Sequence, residues 1–240
     1  MPFILSGEVR HRGQVLMTTI SAAQRGRMQR QREYWSGRYR EDPDLFGSDE
    51  SEFAHWALDI IGVEPVGRKL LELGAGNGRD MRFFHSAGFQ VEGVDCAGDE
   101  PARARAGAIT SNIQCKDVFE FLHDHEGGSA DVIYSNLFYN MDFTEADHRA
   151  LFAEAGRILK PGGFHLYSVR TVKDNWYGKG KKVRRDTYDS TPDGTVMHFF
   201  SEAYANRLRR GSFTLITMEE RLKGKGDFPI DVYYVAERKP

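Results

Sequence analysis

Lys69-Leu70-Leu71-Glu72-Leu73-Gly74-Ala75-Gly76-Asn77-Gly78-Arg79-Asp80 decides how the rest of the chain is read. Leu70, Leu71 and Leu73 form a short apolar run that reads as a buried strand. Three glycines follow at G-x-G-x-G spacing, and a segment with helical spacing begins after them. Glycines at a strand-to-helix turn take positive φ without strain and let a ligand approach the backbone closely. A nicotinamide-binding loop needs G-x-G-x-x-G. In this chain the third glycine comes one residue early, and Arg79 stands where that motif needs its last glycine. Glu72, near the end of the first strand, suits a cationic amine or ammonium better than a pyrophosphate.

Downstream, strands and helices alternate. Phe89, Val91 and Val94 predict a second strand ending at Asp95, 19 residues after Gly76. An acid at this point of a dinucleotide-type fold accepts hydrogen bonds from ribose hydroxyls. The stretch 99–108 reads as a helix, and Ile113 and Cys115 as a short third strand running into Asp117-Val118. Asp117 is also placed to cap a short helix over 118–123. Asp131 to Tyr139 gives a fourth strand and its exit. Ligands of open α/β sheets bind outside the carboxyl ends of the strands, so Ser135 to Tyr139 should line the reaction centre. Thr144, with Asp147 three residues later, predicts an N-cap, and Ala150, Leu151, Ala155, Ile158 and Leu159 trace the apolar face of its helix. Leu159-Lys160-Pro161-Gly162-Gly163 ends that helix before a fifth strand through Phe164, Leu166, Tyr167 and Val169. Phe213 to Met218 and Val232 to Val235 read as a terminal hairpin.

E-L-G-A-G-N-G-R resembles the first motif of the Rossmann-like (class I) S-adenosylmethionine-dependent methyltransferases, and L-K-P-G-G before a strand is characteristic of the same family. Y-W-S-G-R-Y at 34–39 and H-F-F-S-E at 198–202 resemble segments of tellurite-resistance-like and thiopurine-like small-molecule methyltransferases. The resemblance covers about residues 30–240. It implies a seven-stranded, mostly parallel α/β sheet with helices on both faces and an antiparallel last strand. It implies S-adenosylmethionine as cofactor, held by Tyr34, Trp35, Glu72, Gly74, Ala75, Gly76, Gly78, Asp95, Cys96, Asp117, Val118, Asn136 and Leu137. In that group a segment like 1–50 folds over the cofactor as a lid, and 51–240 is the methyltransferase domain. Residues 171–197 then form a substrate-side insertion, with Phe138, Trp176 and Tyr177 against a small-molecule acceptor. His198 and Tyr139 are the candidates for a general base, should the acceptor have to lose a proton. DNA and glutamine methyltransferases carry N/D-P-P-Y after strand four. Ser135-Asn136-Leu137-Phe138-Tyr139 departs from that pattern and argues against methylation of base amino groups.

Composition bounds the alternatives. At 240 residues and 40% apolar content the chain can bury a sizeable core, and a net charge of −2 gives no global attraction to nucleic acid. Cys96 and Cys115 fit neither a paired metal motif nor a disulfide scaffold, the histidines show no ligand spacing, and no metal is expected. No apolar run approaches the roughly 18 residues of a membrane helix, and Met1 to Arg10 does not read as a signal peptide. These features lead to the expectation of a cytoplasmic protein. The competing function is a non-catalytic or regulatory cofactor-binding module that uses the basic stretch Lys173–Arg185 on RNA.

Overall fold

The computed structural model describes residues 21–62, 66–98, 107, 112–189, 194–223 and 229–240. Expectations for residues 1–20, for Pro65 as a helix terminator and, Gly107 apart, for a helix over 99–108 fall outside the described residues.

The chain opens with α1 (Ala22–Glu41) and α2 (Glu52–Ile61). Ser51 caps α2, its Oγ accepting from the Ala54 N–H at 3.1 Å. The apolar run then forms β1 (Lys69–Leu73), the glycine turn leads into α3 (Arg79–Ser86), and β2 (Gln90–Asp95) follows. After β3 (Ile113–Cys115) come α4 (Val118–His123), β4 (Ala130–Asn136) and a 3-10 turn at Phe138–Asn140. α5 (Glu145–Ile158) starts at the expected capping box: the Asp147 N–H donates to Thr144 Oγ1, and the Thr144 N–H to Asp147 Oδ2. β5 is Leu159–Arg170. The insertion folds as β6 (Lys181–Arg184), β7 (Thr187–Asp189) and β8 (Met197–His198), and the chain closes with α6 (Glu202–Arg209), β9 (Thr214–Lys223) and β10 (Ile230–Arg238).

Seven strands pair in the order β3-β2-β1-β4-β5-β10-β9, with β3, β2, β1, β4 and β5 mutually parallel and β10 antiparallel to both neighbours. This is the sheet the sequence predicts. Strand side chains alternate between faces, so Leu71 and Leu73 pack with α4 and α5, while Leu70 packs with α2 and α3. β1 is hydrogen-bonded to β2 on one side and β4 on the other, so the sheet reverses its winding there, and a crevice opens at the carboxyl ends of those strands.

The insertion is more ordered than a loop. β6, β7 and β8 make a separate antiparallel sheet, and Tyr188, Met197 and Phe199 form its small core with Val172, Trp176 and Tyr177. The chain leaves and re-enters the main body at one point: the Phe200 N–H donates to Arg170 O at 2.8 Å, and the Val172 N–H to Phe200 O at 3.0 Å.

Candidate active site

The crevice at the sheet's switch point is an open cleft. Its floor is made of strand exits: Gly74 to Asn77 after β1, Asp95 and Cys96 after β2, Lys116 to Val118 after β3, Asn136 to Phe138 after β4 and Arg170 after β5. α1 roofs it with Met28, Gln31, Trp35 and Tyr39.

The glycine turn is needed as glycine. Gly74, Gly76 and Gly78 have φ of 76°, 54° and 74°, in the left-handed region that other residues rarely take. A Cβ on Gly74 would come within 2.8 Å of the Phe138 ring, and one on Gly76 within 2.5 Å of the Tyr39 hydroxyl. Gly78 does not line the cleft; it turns the chain into α3 as its N-cap.

Three carboxylates face this turn region. Asp95 accepts from the Gly76 N–H and from the Ala97 N–H, each at 2.8 Å, which fixes its carboxylate under the turn. Burial pushes its pKa upward, and those backbone N–H groups oppose the shift. Asp117 accepts from the Phe119 N–H at 2.8 Å, so it caps α4 and lines the cleft at once. Glu72 is 3% exposed and its Oε2 is buried without a hydrogen-bond partner. Burial, and after it the charge of Asp80, pushes its carboxyl well above the usual range. Asp80 itself is satisfied, accepting from the Ser51 N–H and Oγ and from the Tyr134 hydroxyl at 2.7–2.8 Å. A buried acid left without a donor costs free energy, and a ligand ammonium is the group that would relieve it. Glu72, Asp95, Asp117 and the bare glycine turn together fit S-adenosylmethionine.

Trp35, Ala75, Cys96, Val118, Asn136, Leu137 and Phe138 also line the cleft as expected. Five further residues named from the sequence stand outside this lining. Tyr34 stands outside it, beside a neighbouring recess, its hydroxyl accepting from Arg38 at 3.1 Å. Trp176 and Tyr177 belong to the core of the insertion: Arg170 stacks 4.0 Å from the Trp176 ring centroid, and the Tyr177 hydroxyl donates to Asp186. Tyr139 is fully buried, because Leu137 takes a left-handed φ of 60° and turns the next residues inward. Its hydroxyl meets His165 Nε2 at 3.0 Å, and burial raises its pKa far above the ordinary tyrosine value. His198 is 6% exposed, lies off the cleft, and pairs through Nδ1 with Thr187 Oγ1 at 2.9 Å. Its neighbour Met197 lines the cleft instead. Among the described residues no histidine lines the cleft.

Sequence reading missed Met28, Gln31, Met141, Phe143, Arg170 and Met197 as lining residues. No sequence motif marks them; they come together because α1 and the insertion converge on the exit of β4. Part of the basic stretch is spent internally: Lys173 pairs with Glu220 at 2.7 Å, and Arg184 with Asp142.

His148 and His198 make one pH-sensitive spot. Their rings lie 5.2 Å apart. The His148 Nε2–H donates to Tyr139 O, and its Nδ1 shares a hydrogen bond with the Tyr204 hydroxyl, both at 2.8 Å. Burial lowers His148 to about 4 and His198 to about 3. Above about pH 6.5 both are neutral in the folded and the unfolded chain, and stability is full. As pH falls below that, only the unfolded chain takes up the protons, and stability drains until the folded values are reached. The loss is at most roughly 1.4 kcal/mol per pH unit for each histidine. Urea midpoints between pH 7.5 and 4.5 should fall more steeply in the wild type than in His198→Gln; equal slopes would remove His198 from this account.

Residues 70–163 match the family described as a methyltransferase domain. A comparison with curated protein sequences finds no match. Among solved structures, the 1,6-didemethyltoxoflavin-N1-methyltransferase of Burkholderia thailandensis, with 1,6-didemethyltoxoflavin and S-adenosylhomocysteine bound, is similar. It has a TM-score of 0.69 at 18% identity over 94% of this chain and 93% of that one. An S-adenosylmethionine-dependent methyltransferase of Methanosarcina mazei has a TM-score of 0.63 at 16% identity, over 80% and 98%. The geranyl diphosphate C-methyltransferase of Streptomyces coelicolor A3(2) has 0.56 at 17%, over 78% and 76%. The chain thus has the Rossmann-like fold of these methyltransferases, and its residues 70–163 match a methyltransferase domain.

Proposed function

We propose that this protein transfers a methyl group from S-adenosylmethionine to a small-molecule acceptor that binds between α1, the exit of β4 and the insertion. The observation that carries the reading is the pairing, in one cleft, of the unpartnered Glu72 carboxyl with Asp95 at the next strand end. In this reading Glu72 receives the cofactor's ammonium, Asp95 its ribose hydroxyls and Asp117 its adenine amine, with Val118 against the ring. The bound cofactor supplies an electrophilic methyl on a sulfonium. The chain's own part is to align the acceptor's lone pair with that methyl and to keep water away. Phe138, Met141 and Phe143 make dry walls, and the acceptor supplies the nucleophilic atom. The small-molecule acceptors named for the Burkholderia and Streptomyces structures support an acceptor of that size. The free thiols of Cys96 and Cys115 support a cytoplasmic setting. Among the described residues no helix is long and apolar enough to cross a membrane.

α1 is the lid in this reading. Trp35 and Tyr39 pack on each other and on Phe46 above the glycine turn. Calorimetry should show one S-adenosylhomocysteine bound per chain, and amide exchange across residues 30–47 should slow at least several-fold in the complex. Absence of binding would overturn the proposed function; binding with unchanged exchange would leave α1 as a fixed wall.

A further inference from the structure

Gln31 is 7% exposed and stands where the cleft meets the recess bordered by Asp142, Thr195 and Val196. Its amide nitrogen and amide oxygen are both buried without a hydrogen-bond partner. Such a group is destabilising. Two polar residues of the same cleft lining, Asn140 and Arg170, are engaged elsewhere. Asn140 donates to His198 O at 2.7 Å and accepts from the Arg170 N–H at 2.9 Å, while the Arg170 guanidinium is held by both oxygens of Asp174 at 3.1 Å. The cleft lining also holds thioethers and phenyl rings: Met28, Met141 and Met197, with Phe138 and Phe143. Thioethers are soft and adapt to flat ligands.

We propose that Gln31 determines specificity for the methyl acceptor, its carboxamide pairing with a neutral molecule that carries a hydrogen-bond donor directly beside an acceptor. A lactam, a carboxamide or an amino-heterocycle has that edge. The inference rests on the methyltransferase reading, since it places the acceptor at this end of the cleft. A carboxamide offers one N–H and one C=O side by side, so it forms two parallel hydrogen bonds with such an edge while the methionines and phenylalanines cover the ring faces. A hydrocarbon of the same shape would leave both groups unpaired and lose affinity.

The test uses protein saturated with S-adenosylhomocysteine and three probes of similar shape: 2-quinolone, N-methyl-2-quinolone and 2-methylnaphthalene. Ligand-observed NMR titration should show 2-quinolone bound at least about tenfold more tightly than either of the others, on the scale of one or two hydrogen bonds. Gln31→Leu should erase that preference and keep S-adenosylhomocysteine affinity within about twofold. Because it removes a buried unpaired amide, Gln31→Leu should also melt higher by roughly 2–4 °C. If it fails to fold, Gln31→Met serves in its place, with the same expectations. Equal binding of the three probes to the wild type, no binding of 2-quinolone, or a preference that survives in the variant would overturn the proposal. Failure of S-adenosylhomocysteine to bind the wild type would instead overturn the methyltransferase reading beneath it.

Discussion

The Asp95→Ala protein should bind S-adenosylhomocysteine about 1.5–3 kcal/mol more weakly than the wild type, the scale of hydrogen bonds to a charged group, which is roughly 10- to 150-fold in Kd. Asp95 ends β2 directly beneath the glycine turn, where its two oxygens already hold the Gly76 and Ala97 N–H groups. A carboxylate has about four lone-pair sites, so two remain for a ribose. Alanine removes both functions, while the carboxamide of an Asp95→Asn variant keeps one acceptor oxygen, and its loss should be intermediate. Calorimetry decides: unchanged affinity in Asp95→Ala would sink the ribose assignment. A loss accompanied by a collapse in melting temperature would show that the residue serves the turn before it serves the ligand.

The largest effect on stability is expected at His165→Leu. His165 and Glu237 are fully buried, with Nδ1 donating to Glu237 Oε2 at 3.1 Å. The Tyr167 hydroxyl donates to the other oxygen at 3.0 Å, and Tyr139 reaches His165 Nε2. The four groups tie the exit turn of β4 to β5 and β10 inside the sheet's larger core. Removing the imidazole leaves one oxygen of a buried carboxylate and the Tyr139 hydroxyl without a partner, which should cost about 3–5 kcal/mol. Replacing both partners, His165→Leu with Glu237→Leu, should cost less than the sum of the single changes, because no buried carboxylate then remains, even though the Tyr139 and Tyr167 hydroxyls both lose their partners. Urea unfolding of the three variants measures this; additive losses would mean that the pair is two independent packing residues.

The strand and helix order was legible because it rests on local signals. The leucine run, the acids at strand ends, the Thr144–Asp147 box and the glycines after Leu159 each carry their meaning within a few residues. The floor of the cleft followed from them, since it is made of strand exits. The rest of its lining was not legible. α1 is polar on nearly every side, so nothing in its sequence distinguishes the face that buries Gln31 and Tyr39 from the face in water. Tyr139 was misread because a left-handed Leu137 cannot be foreseen from a leucine. The strands β6, β7 and β8 are two to four residues long, too short for a period to declare itself. Trp176 and Tyr177 then served as core for that small sheet.

The single doorway through which residues 172–199 leave and rejoin the body bears on how such a protein diversifies. Arg170 and Phe200 are bonded neighbours, so everything between them can lengthen, shorten or be exchanged without severing any of the seven strands. The entropic penalty of a longer excursion grows only logarithmically with its length. The piece of chain that contributes Met197 to the cleft is therefore a cassette. Lineages carrying this scaffold can reshape one wall of the cleft by rewriting a single segment, and keep the strand-exit floor intact.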